Sequence, residues 1–145
     1  MKYKVIDNFL DKEYFDSLAG SFGYPEDKTG HIHMPWFMMP STVRTKDKAE
    51  LQFFYMAHSM YDNNVPTSDM YGKIIPLLEK LNVRCLLRVK ANLYPNSEPL
   101  HEHPMHRDFH FSHYGALLSL NTCDGYTKLK DGTKIDSVAN RMLLF

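Results

Sequence analysis

Cysteine is scarce in this chain, with 2 among 145 residues. Cys85 and Cys123 lie far apart, and no apolar leader precedes them. They are expected to be reduced core thiols rather than a disulfide or a metal pair. Net charge is also lacking: 17 basic residues balance 17 acidic ones. Without a basic excess to neutralise phosphates, nucleic acid is excluded as the main partner, and so is an anionic membrane surface. No apolar run approaches the roughly eighteen residues that a membrane span needs. The expectation is a cytoplasmic protein. Gly-rich phosphate loops, internal repeats, low-complexity tracts and linkers are missing as well. The length fits one domain over 1–145, large enough to bury a core.

Histidine is present and concentrated. Of 8 in the chain, 4 fall between His101 and His110, in the run His101-Glu102-His103-Pro104-Met105-His106-Arg107-Asp108-Phe109-His110. Imidazole and carboxylate at this density suit a divalent transition metal. On a strand, side chains alternate faces, so His106, Asp108 and His110 would share one face and His101 and His103 the other. Pro104 cannot donate to a ladder and should bend the chain between the two sets. Two metal pairs therefore compete.

The flanking pattern gives the context. Tyr3 to Ile6 reads as a strand. Asp11 is placed to cap a helix over Lys12 to Ser21, with Tyr14, Phe15 and Leu18 on one face and Gly20, Gly23 and Pro25 ending it. Tyr24 to Pro40 is irregular and aromatic-rich. It is expected to be a loop on the sheet, with a substrate-covering loop as the alternative and His31 and His33 as loop residues. Leu51 to Tyr61 reads as a strand. Thr67 or Ser68 should cap a helix through Ile74, Leu77, Leu78 and Leu81, kinked or bounded at Pro76.

Val83 to Tyr94 reads as one long strand, with Arg84, Arg88, Lys90, Asn92 and Tyr94 on one face. That face is either merely solvated or a lining for an anionic ligand. Gly115 to Thr122 is a further strand. Asp131-Gly132 signals a hairpin between Tyr126–Leu129 and Thr133–Val138. The apolar run Met142-Leu143-Leu144-Phe145 ends the chain without a polar tail, so the sequence is expected to be cut short of its natural end. Helices first and short strands after them predict an α+β fold with a sandwich or barrel core.

Three segments carry a family resemblance. They are Val5-Ile6-Asp7-Asn8-Phe9-Leu10; Arg88-Val89-Lys90-Ala91-Asn92-Leu93-Tyr94-Pro95 followed by His106-x-Asp108; and Ser119-Leu120-Asn121 with the hairpin and Asn140-Arg141-Met142-Leu143-Leu144-Phe145. Together they resemble the Fe(II)/2-oxoglutarate-dependent dioxygenases of the prolyl 4-hydroxylase-like branch. The resemblance implies N-terminal helices packed on a double-stranded β-helix (jelly-roll, cupin-like) core. It implies His106 and Asp108 as Fe(II) ligands, 2-oxoglutarate as small-molecule cosubstrate touched by Tyr94 with Arg88 and Asn92 nearby, and hydroxylation of an unidentified primary substrate.

The family's second metal histidine and its basic partner for 2-oxoglutarate would follow Phe145, as would two core strands. The exposed edges left behind imply self-association into a homo-oligomer. His101-x-His103 with Asp108 also resembles the first cupin motif, with Asp for the usual Glu. A cupin-like metal-binding module and a non-catalytic β-rich interaction domain are the alternatives.

Overall fold

The computed structural model describes residues 2–23, 34–40 and 53–145. They fall into two compact units: Met1–His31 with Arg107–Phe145, and Ile32–His106. His31 and His33, and most of the irregular segment around them, lie outside the described residues.

In the first unit, helix α1 (Lys12–Ser21) begins where the sequence places it: Asp11 accepts a 2.9 Å hydrogen bond from the Tyr14 amide. That bond satisfies one of the donors a helix start leaves open. Phe15, Leu18 and Ala19 form its buried stripe. The helix stops at Gly23, whose φ of 93° belongs to the left-handed region that glycine tolerates.

Strand β9 (Arg141–Leu144) is the centre of a three-stranded antiparallel sheet, between β1 (Lys4–Ile6) and β6 (Ala116–Ser119). In register, Met142 faces Ile6 and Leu118, and Leu143 faces Val5 and Leu117. Met142 and Leu143 are each only 1% exposed. Adjacent strand residues point to opposite faces, so both faces of β9 are covered there. Leu10, Phe22 and Leu129 join them as buried residues of this unit.

The expected hairpin is present as β7 (Tyr126–Lys128) and β8 (Lys134–Asp136). Leu129 donates to Thr133 O at 2.8 Å, and Asp131 accepts from the Thr133 amide at 3.0 Å. Gly132 supplies the φ of 88° that the turn requires.

Arg141 clamps the edge of this sheet. Its Nε donates to Asp7 Oδ1 and a terminal nitrogen donates to Oδ2 at 3.0 Å. These hydrogen bonds are the main cause that holds the Asp7 carboxyl below its ordinary value of 3.8. A carboxyl with a lowered folded-state pKa adds stability above its unfolded value and loses it as pH falls through the folded one. The expected result is that Asp7→Asn flattens the acid limb of stability below about pH 4. Urea unfolding from pH 5 to pH 2 checks this. An unchanged acid limb would count against the clamp. Asp7 is exposed, so the whole contribution, fully present near neutrality and lost on acidification, is small.

The second unit is a sheet built on β3 (Tyr55–Asp62). Strands β2 (Phe37–Met39) and β4 (Val65–Pro66) pair with it, and so does β5 (Val89–Leu93). Met34, Tyr55, His58, Met60 and Ile74 are its buried residues. Asn63 and Asn64 make the turn into β4 with φ values of 50° and 63°.

Helix α2 (Tyr71–Lys80) starts three residues after Ser68, whose carbonyl accepts from the Tyr71 amide at 3.0 Å. Pro76 lies inside this helix rather than at its boundary. It removes the bond to the Gly72 carbonyl, and both residues are exposed, so solvent can take that acceptor.

Four expectations need correction. The strand expected over Val83–Tyr94 is confined to Val89–Leu93. Val89 pairs with Tyr61, at the end of β3, so the residues before it have no partner strand. The segment 94–115 contains no strand. Pro95, Pro99 and Pro104 each lack an amide donor, which keeps 95–104 out of a ladder. The face-sharing of His106, Asp108 and His110 therefore does not hold. Residues 37–39, expected in a loop, form β2. Cys85 and Cys123 are free, as expected, but exposed rather than core. The fold is mixed α+β with separate antiparallel sheets, and no barrel closes among the described residues. No helix among them is long and apolar enough to cross a membrane.

Candidate metal and cosubstrate site

Strand β5 carries the cosubstrate candidates, all within the second unit. Arg88 immediately precedes it, Asn92 lies within it and Tyr94 follows it. Within β5 the period of two puts Lys90 and Asn92 on one side. Asn92 Nδ2 donates to the Tyr94 hydroxyl at 3.3 Å, and both side chains are exposed. Tyr94 comes one residue beyond the Met56–Leu93 pair, and its ring stacks on that of Tyr55 at 5.5 Å. Lys90 Nζ lies 6.0 Å from the centre of the Tyr55 ring. This face presents cationic, amide and phenol groups together, the groups that hold a dicarboxylate.

The aromatic stack continues into the histidine stretch. The His103 ring stands edge-on to Tyr94 at 5.0 Å, to Phe53 at 5.6 Å and to Tyr55 at 6.4 Å. His101 stands edge-on to Phe53 at 6.2 Å. His103 Nδ1 is buried and has no hydrogen-bond partner among the described residues. Burial is the largest cause that lowers the His103 pKa below 6.5, followed by repulsion from His106 and then from His101. Burial and these neighbours therefore favour the neutral ring of His103.

His106 is exposed, with Nδ1 3.3 Å from Pro104 O. It is the last residue of the second unit. Asp108 is exposed and belongs to the first unit, as does His110. Tyr94 and Asn92 are brought into contact, and His106 and His101 lie close enough to disfavour charge on His103. Imidazole and carboxylate are suitable Fe(II) donors. Even so, no three His, Cys, Asp or Glu side chains converge to hold a metal ion among the described residues.

A second polar group went unnoticed in the sequence. His58 on β3 is 4% exposed, with Nδ1 2.8 Å from Pro35 O and Nε2 2.6 Å from Ser68 Oγ. One signal was available: a lone histidine inside the apolar run Met56-Ala57-His58-Ser59-Met60, on a strand, is a candidate for a buried and fully bonded imidazole. No protein-family model, curated protein or solved structure matches the chain.

Proposed function

We propose that the chain is a non-haem Fe(II)- and 2-oxoglutarate-dependent oxygenase domain, a hydroxylase of unidentified substrate with a jelly-roll type of core. His106 and Asp108 would donate to Fe(II). Tyr94, with Arg88 and Asn92, would contact 2-oxoglutarate. The observation that carries this reading is the order of elements around the histidines. Strand β5 leads through Tyr94-Pro95 into the H-x-D stretch; β6, the β7–β8 hairpin and β9 follow, with β9 antiparallel to β6. This is the succession on which the sequence resemblance rests. Iron would supply the oxidising chemistry, while the chain's own residues hold the cosubstrate and its counter-charge.

The test is an anaerobic titration with Fe(II) and 2-oxoglutarate, followed by the charge-transfer absorption of the chelate. His106→Ala and Asp108→Ala should each weaken Fe(II) binding roughly 100-fold or more, since losing even an outer-shell partner costs 10–100-fold. His101→Ala and His103→Ala should leave it nearly unchanged. Loss of binding only in the His101 and His103 variants would transfer the metal to His101 and His103 and end the oxygenase reading. No Fe(II) binding by the unaltered chain would end it too.

A further inference from the structure

We propose a second chemical site, independent of the oxygenase reading: Ser68 and His58 form a serine–histidine pair built for acyl transfer, with the Pro35 carbonyl as its orienting group. The hydrogen bonds fix the proton positions. A carbonyl only accepts, so His58 Nδ1, 2.8 Å from Pro35 O, carries the ring proton. In the neutral ring Nε2 is then the acceptor. The Ser68 hydroxyl, 2.6 Å away, donates to it. This is the nucleophile–base–orienter chain that activates serine in unrelated folds, recognised by geometry and not by sequence order.

Two further features favour chemistry at Ser68 Oγ. The Met70 amide donates to it at 3.1 Å, at the entry to α2, so this bond and the one to His58 together fix the direction of the remaining Oγ lone pair. Trp36 stands edge-on to His58 at 6.5 Å, and its indole N–H is buried with no hydrogen-bond partner among the described residues. A spare donor therefore belongs to the same cluster. A serine serving only to start the helix would need the Met70 bond alone; the bond to an imidazole of fixed tautomer is additional. His58 is buried, whereas Ser68 is only half-buried, so the nucleophile is the more accessible member.

The substrate class is a small carboxylic ester. Oγ attacks the acyl carbon as its proton passes to His58 Nε2. The bond from that carbon to the alcohol oxygen breaks, and the departing oxygen takes the proton from Nε2. Water then attacks the acyl-serine and gives a proton to Nε2, which returns it to Ser68 Oγ as the carboxylic acid leaves.

The test uses the whole chain with a chelator present, a fluorophosphonate probe and p-nitrophenyl acetate. The expected result is one adduct per chain, mapped to Ser68, and ester turnover that survives chelation. Ser68→Ala should remove the adduct. His58→Gln should slow labelling and turnover about 100-fold or more, the contribution of a positioned general base. No adduct on the unaltered chain, an adduct that persists in Ser68→Ala, or an unchanged rate in His58→Gln would each overturn the proposal. Should either variant lose its circular dichroism, Ser68→Cys decides. Its introduced thiol should react with iodoacetamide at least 10-fold faster than the exposed Cys85 and Cys123 of the same chain. An equal or slower rate overturns the proposal.

Discussion

Replacing Asn140 with alanine should lower the unfolding free energy by about 3–8 kcal/mol, a large share of what holds a domain of this size together. The reason is local geometry joined to long-range bonding. Asn140 is 7% exposed and has a φ of 61°. Its Oδ1 accepts from the Leu10 amide at 2.8 Å, and its Nδ2 donates to the Leu10 carbonyl at 2.8 Å. Its own carbonyl accepts from Phe9, and its amide donates to Ser119.

One side chain thus stands in for a strand partner to Leu10, beside the start of α1. Alanine would leave two buried backbone groups of Leu10 unpaired, at roughly 1–3 kcal/mol each. It would also place a Cβ without compensating bonds in the left-handed region, at roughly 1–2 kcal/mol. Asn140→Gly relieves the second cost and not the first, so it should recover about 1 kcal/mol relative to alanine. Asn140→Asp keeps the acceptor but sets a carboxylate oxygen against the Leu10 carbonyl, so it should fall near alanine. Urea denaturation of the three variants reads this ranking. An alanine variant within 1 kcal/mol of the parent would show that water replaces the amide.

That node also marks where sequence reasoning reaches its limit. Asn140 is legible as a turn residue, because asparagine tolerates positive φ. Its partner lies 130 residues away, and no local pattern connects them. Elements set by neighbours in sequence were legible: the Asp11 cap with α1, the Asp131-Gly132 turn, and the apolar run of β9. The reach of β5 was not, because it is set by where β3 ends. The prolines of 95–104 outweighed an alternating pattern that otherwise suggested a strand. At the candidate site, the Asn92–Tyr94 face follows directly from a period of two. The assignment of His106 and Asp108 to different units does not, nor does the His58–Ser68 pair, which needs a folded sheet and a fixed tautomer.

His103 tests whether the histidine stretch sacrifices stability for chemistry. Its Nδ1 is buried without a partner among the described residues, and burial lowers its pKa. An unsatisfied buried polar atom costs about 1–3 kcal/mol, and a shape-preserving apolar replacement removes that cost. His103→Phe keeps the edge-on contacts with Phe53, Tyr55 and Tyr94. It should therefore raise stability by about 1–2 kcal/mol at pH 7.5.

The pH dependence sharpens this prediction. The unfolded chain takes up a proton at this imidazole near 6.5, while the folded chain resists it, so the parent loses stability as pH falls from 6.5 toward the lowered folded value. The groups around the ring that could alter this balance are His101, His106, Tyr55 and Tyr94, with Lys90 beyond Tyr55. Among the described residues, the causes that act on His103 are burial, His106 and His101, and all of them disfavour the imidazolium. His103→Phe lacks the titration, so its advantage over the parent should grow as pH falls below about 7 and level off only once pH is below the lowered folded value. Chemical unfolding at stepped pH measures the gap. A gap that is constant with pH, or a variant less stable than the parent, would mean that His103 is held by a hydrogen bond and is an ordinary structural residue.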